Sequence, residues 1–273
     1  MNNFTQRTIT GILFVIVMVG SIVLHPFAFG ALFLLVTILA LIEFYRLSWT
    51  DDHKQGMFTG LTGGILLYGL VFFVANGILP PRTLIVLWMI IPLVVITELF
   101  SAKSRPFTHI AFTLLGVAYV ALPLSVLNAF YFYGLNQPEP SYAFLLGYFI
   151  ILWLYDSGAY LVGKFTGKHL LFHRISPKKT WEGIAGGLTV GILAAWGISR
   201  FFTQLSLAEW IFLSVLIIVF STFGDLVESM LKRSVDVKDS GTLLPGHGGI
   251  LDRFDGVLLS APVVYMYLYL VLN

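Results

Sequence analysis

Residues 207–231 read LAEWIFLSVLIIVFSTFGDLVESML, an apolar run longer than the roughly 20 residues a helix needs to cross a bilayer. Hydrocarbon offers the backbone no hydrogen-bond partner, so such a run must bond its own N–H and C=O groups, which a helix does. Its last turns carry Gly224, Asp225, Glu228 and Ser229, polar residues that contact with lipid alone would disfavour. This one stretch therefore indicates both a membrane helix and a polar centre at its end.

Similar runs occupy roughly 8–25, 27–46, 57–76, 82–100, 107–132, 141–162, 184–203 and 255–272, giving nine expected spans. The chain has 273 residues, 58% hydrophobic and 11% charged, where a soluble domain carries about 25% charged residues. The expected fold is all-α: a polytopic integral membrane protein forming a single membrane-embedded domain over 1–273. Pro26, Pro80, Pro81, Pro106, Pro138 and Pro140 fall between runs, whereas Pro92 and Pro123 fall inside them and predict kinks. A lone Arg7 and the lack of an Ala-x-Ala site argue that the first run is a retained helix and not a signal peptide. The absence of Cys excludes disulfides, thiolate metal sites and a Cys nucleophile.

Of sixteen Lys and Arg residues, only Arg82 and Arg200 fall on the side of the membrane opposite the N-terminus. The positive-inside rule then predicts a cytoplasmic N-terminus, with the basic loops facing nucleotides and metal ions. Attraction to anionic lipid explains part of this bias but not the acids interleaved with it. Two Gly-x-x-Gly-Gly groups, Gly60–Gly63–Gly64 and Gly183–Gly186–Gly187, read as close helix packing.

At the end of the 207–231 run, helical spacing sets Asp225, Glu228 or Ser229, and Lys232 on one face. Glu228 and Lys232 suit an i, i+4 ion pair, which leaves Asp225 deeper and expected to be unpaired. Asp252 and Asp255 flank Arg253 at the start of the last run. Oxygen-only ligands suit a hard cation, Mg2+ above all, and Asp225, Asp252 and Asp255 could hold one ion or two. Between these acids, Pro245-Gly246-His247-Gly248-Gly249 can bring bare N–H groups to an anion, with Lys232, Arg233, Lys238 and Arg253 supplying positive charge. His247 binds phosphate or caps the turn. Upstream, Asp156-Ser157 sits within a span, and Ser176-Pro177-Lys178-Lys179-Thr180-Trp181-Glu182 opens another. There Ser176 or Thr180 can cap the helix, and Lys178 with Lys179 can hold phosphate at its N-terminus. Gly163–Lys168 lacks P-loop spacing. Glu43 and Glu98 read either as lining a lipid path or as helix-end acids paired with Arg46 or Lys103.

The run Ser229-x-Leu231-Lys232-Arg233, Lys238-Asp239-x-Gly241, Leu244-Pro245-x-His247-Gly248-Gly249, Asp252-Arg253-x-Asp255 resembles the signature of the phosphatidate cytidylyltransferases. Residues 156–160 and 176–183 resemble upstream segments of that family, so the likeness covers about 150–260, the expected catalytic half. It implies transfer of CMP from CTP to phosphatidic acid, giving CDP-diacylglycerol and pyrophosphate with Mg2+. It further implies catalytic Asp225, Lys232, Asp252 and Asp255, the three acids on metal. Substrate contacts are implied for Asp156, Ser176, Lys178, Lys179, Ser229, Arg233, Lys238, Asp239, His247, Gly248, Gly249 and Arg253. A homodimer in a bacterial-type cytoplasmic (inner) membrane is implied too, with no nucleic-acid partner. Two rivals remain: a CTP-dependent polyprenol kinase, which would release CDP, and an ion-coupled transporter, which would consume no CTP.

Overall fold

The computed structural model describes residues 3–48, 54–101, 105–131, 141–241 and 248–272. Among the described residues eight helical stretches are long and apolar enough to cross a membrane, two of them, Pro81–Leu99 and Pro106–Tyr131, made of successive segments, and Thr8–Leu24 adds a shorter apolar helix. The helices are α1 Asn3–Leu24, α2 Pro26–Ser48, α3 Lys54–Ala75, α4 Ile90–Leu99, α5 Pro106–Gly116, α6 Leu122–Val126, α7 Ala143–Thr166, α8 Trp181–Phe201, α9 Leu207–Ser234 and α10 Leu251–Leu272. Each falls on an expected apolar run, the ends differing by a few residues. Pro138, Pro140, Lys103 and His247 lie outside the described residues.

Both prolines expected to disturb a helix sit where the helix type changes. Pro92 lies just after a 3-10 segment, Pro81–Met89, gives way to α4. Pro123 follows a π-helical stretch, Val117–Ala121, between α5 and α6. A proline nitrogen cannot donate to the preceding turn, so the ladder there shifts to another spacing. α10 also holds Pro262 within its length, which the sequence reading did not single out.

The chain packs as two compact units, one of residues 1–132 with 239–254, the other of 133–238 with 255–273. In the first unit, α2 buries Phe29, Phe33, Ala40, Leu41, Phe44 and Tyr45. Three buried tyrosines of this unit donate to backbone: Tyr45 Oη to Thr113 O at 2.8 Å, Tyr68 Oη to Gly30 O at 2.9 Å and Tyr131 Oη to Ile22 O at 2.7 Å. Such bonds matter where no water competes for the hydroxyl. The Tyr45 ring fills the room left by Gly60 and Gly116, where a Cβ would collide with it.

In the second unit, glycines let α7 and α8 meet backbone to backbone. A Cβ on Gly158 would stand 3.4 Å from Gly187 Cα, and one on Gly163 3.4 Å from Gly183 Cα. Close packing therefore accounts for both Gly-x-x-Gly-Gly groups. Between these helices runs a short antiparallel hairpin, β1 Leu170–Phe172 with β2 Ser176–Thr180. It forms the two-stranded sheet among the described residues. Thr180 caps α8 by accepting from Gly183 N at 3.1 Å, one of the two capping residues the sequence offered. α9 opens on a capping box in which Ser206 and Glu209 each accept from the other's backbone N–H.

Candidate active site

The polar centre of the second unit is built toward the C-terminal end of α9, where the strand leading into α8 and the first turns of α10 meet it. Asp225 on α9 is not unpaired, as the spacing had suggested: its Oδ2 lies 2.5 Å from Lys179 Nζ, and its Oδ1 accepts from Ser229 Oγ at 3.2 Å. Lys179 reaches it from β2, whose alternation turns Lys179 inward and leaves Lys178 exposed. The chain entering β1 is held by Glu182, which accepts from Lys168 N at 3.1 Å and His169 N at 3.2 Å and pairs with His169 Nδ1. Glu182 thus latches the hairpin onto the helix that follows it.

Asp255, half-buried on the first turns of α10, accepts from Gly256 N at 2.7 Å and lies within electrostatic reach of Asp225, Asp156 and Lys179. Gly224 makes this neighbourhood possible. A Cβ there would run into the Asp255 carbonyl oxygen and stand 3.1 Å from Gly256 Cα, so α9 and α10 touch through backbone. Tyr155 Oη with Thr222 Oγ1 and Tyr148 Oη with Ser260 Oγ tie α7 to the same two helices. Gly224→Ala should accordingly force α9 and α10 apart, lowering stability by about 1–3 kcal/mol. Thermal unfolding in detergent checks this, with turnover falling further than the lost stability explains.

Further along α9, Lys232 Nζ lies 2.5 Å from Glu228 Oε2, the expected i, i+4 pair. Glu228 is wholly buried and the Lys232 side chain only 14% exposed, so that ammonium serves a buried carboxylate first. Arg233, Lys238 and Asp239 are exposed, as is Asp156, while Ser176 is half-buried.

The first unit holds the segment leading into α10. Asp252 Oδ2 accepts from Gly249 N at 2.7 Å and from Ser240 N at 3.1 Å. Gly248 adopts a positive φ of 81°, a conformation that suits glycine. Arg253 is exposed. Glu43 turns to the segment before α10 and not to Arg46: it is 7% exposed and accepts from Ser240 Oγ and from the backbone N–H groups of Ile250 and Leu251. An acid inside an apolar helix signals function by itself, and that signal was legible at Glu43 although its partner was not.

A profile of the cytidylyltransferase family matches residues 5–271 of this chain. The chain belongs to that family. It is 36% identical to a phosphatidate cytidylyltransferase of Bacillus subtilis (strain 168), over 99% of both chains. A phosphatidate cytidylyltransferase of Staphylococcus aureus (strain COL) is 37% identical, over 96% of this chain and 98% of its own. That of Staphylococcus haemolyticus (strain JCSC1435) is 43% identical over 61% of this chain and 62% of its own. The match is not confined to the charged signature, so the N-terminal half of this cytidylyltransferase is also family sequence.

Among the described residues no three His, Asp or Glu side chains form a ready ligand group. What the second unit does offer a cation is oxygen: the carboxylates of Asp225 and Asp255, with the Ser229 hydroxyl beside the first. Lys179 already sets one positive charge against Asp225. Mg2+ commonly takes one or two carboxylates and completes its shell with water and substrate phosphate, so this donor set fits it.

Proposed function

We propose that this cytidylyltransferase transfers CMP from CTP to phosphatidate, releasing pyrophosphate and leaving CDP-diacylglycerol in the bilayer. A phosphate oxygen of the lipid forms a bond to the α-phosphorus of CTP while the bond from that phosphorus to the bridging oxygen breaks, the electron pair leaving with pyrophosphate. The lipid phosphate is already an anionic nucleophile, so no protein nucleophile is required. The protein's task is to bring anions together and align them in line. The observation that carries the reading is the Lys179–Asp225 pair beside Asp255, acid and base set together at the end of membrane helices.

In this reading Lys179 is placed by its hairpin to meet a phosphate, with Lys178 exposed on the same strand. Exposed Arg233 and Lys238 meet phosphates arriving from water, and Asp156 orients substrate. Asp225 and Asp255 would hold Mg2+, one ion or two, with Ser229 keeping the Asp225 carboxylate oriented. Bound there, Mg2+ would neutralise charge building on the reacting phosphates. Asp252 holds the segment before α10 through Ser240 and Gly249.

The decisive assay supplies the purified protein in detergent with phosphatidate, CTP labelled at the α-phosphorus and Mg2+. Label is expected in the organic phase as CDP-lipid, with one pyrophosphate per lipid formed. Labelled CDP in the water phase would instead identify a kinase, and solute flux without CTP consumption a transporter. The reading also carries a cytoplasmic N-terminus, a site facing the cytoplasm of a bacterial inner membrane, and a homodimer. Because the chain lacks Cys, a Cys placed at Lys168 or Lys238 should label from the cytoplasmic face, and one at Asn76 from the other.

A further inference from the structure

We propose that Glu43 is the positioning residue for the segment that enters α10, fixing its backbone from a helix about two hundred residues earlier in the chain. Its Oε1 accepts from Ile250 N at 3.0 Å, and its Oε2 accepts from Leu251 N at 2.9 Å and Ser240 Oγ at 3.0 Å. The first N–H groups of any helix lack partners within it, and here α2 supplies the cap that the local sequence does not. Helix-end donors and a buried acid therefore satisfy each other.

The glycines of the signature fit this arrangement. A Cβ at Gly249 would collide with Glu43 Oε2 and Ser240 Oγ, and one at Gly241 would stand 2.9 Å from Glu43 Cδ. These positions are small because the carboxylate takes the space. Asp252 closes the other side through Ser240 N and Gly249 N. The N–H of Gly249, the last of the turn expected from sequence to face an anion, and those of Ile250 and Leu251 are thus filled by the protein's own acids. At these three positions the segment contributes fixed geometry and no N–H group for a phosphate.

The bonding role stands on the distances alone; its consequence for turnover rests on the cytidylyltransferase reading. Hydrogen exchange on the purified full chain separates the two. Glu43→Gln, which keeps the shape, should speed exchange at 249–251 by about ten- to a hundredfold, the value of charge-assisted bonds. Protection in α2 and α3 should remain. Ser240→Ala, which removes one donor and disturbs the fold least, should speed exchange at the same residues by a smaller factor. In both variants kcat should fall while KM for CTP changes little, since a displaced segment lowers reaction in the bound complex. Unchanged exchange at 249–251 in both variants, or a loss spread evenly over α2 and α3, would overturn the proposal. Altered exchange with kcat unchanged would overturn the positioning role in turnover, and a wild type that forms no CDP-lipid would refute the functional reading without touching the exchange result.

Discussion

Asp225→Asn and Asp255→Asn proteins are expected to fold and reach the membrane yet form CDP-lipid about a thousandfold more slowly. Each change keeps the side chain's shape and removes one negative charge from the pair proposed to hold Mg2+. Charge stabilisation by a bound metal is worth several kcal/mol, and each 1.4 kcal/mol is tenfold in rate. Stability should move the other way for Asp255→Asn. That residue is half-buried within reach of Asp225 and Asp156, so removing its charge relieves repulsion at the proposed metal site. Asp225→Asn should be closer to neutral, because Lys179 loses its partner but is not fully buried and can be hydrated. Turnover against Mg2+ concentration, with thermal unfolding of the same preparations, checks both. Near-normal turnover with unchanged Mg2+ dependence in both variants would move the chemistry to Lys179 and Asp156.

The spans were legible because hydrocarbon imposes one rule on every residue of a run, and 207–231 obeys it as well in isolation as in the fold. The Glu228–Lys232 pair was legible for a similar reason: four residues along one helix fixes who meets whom. Both readings depend only on near neighbours. The hairpin was not legible. Residues 170–180 read LLFHRISPKKT, with a proline and no sustained alternation, and the strand state is held by Glu182 bonds from outside the strands.

The same limit explains what the sequence left open at the site. Asp225 looked unpaired because its partner, Lys179, lies on another element and is aimed by a strand the periodicity did not announce. Asp252 and Asp255 looked equivalent, flanking one arginine at the start of one helix. In the fold Asp252 turns to Ser240 N and Gly249 N, while Asp255 sits beside Gly224 and within reach of Asp225. Three positions along a helix differ by less than one turn, yet backbone donors on one side and a glycine contact on the other give them different surroundings.

Lys232→Met should cost the protein about 3–5 kcal/mol, because it strands the carboxylate of Glu228, which is wholly buried, without the ammonium that compensates it. The expected reading is an apparent Tm lower by roughly 10 °C, or loss of the folded protein on extraction. The loss should be largely repaired in the double variant Glu228→Gln with Lys232→Met, since removing both charges leaves no uncompensated acid and the methionine keeps the apolar stem. That repair distinguishes two roles for Lys232 that a single substitution confounds. If the refolded double variant forms CDP-lipid at close to the normal rate, Lys232 acts by holding the end of α9 and the phosphate contacts belong to Lys179, Arg233 and Lys238. If stability returns and turnover stays about ten- to a hundredfold low, the range of a lost charge-assisted contact, Lys232 also meets a substrate phosphate. A double variant no more stable than Lys232→Met would show that the Glu228–Lys232 pair is not what holds this part of α9.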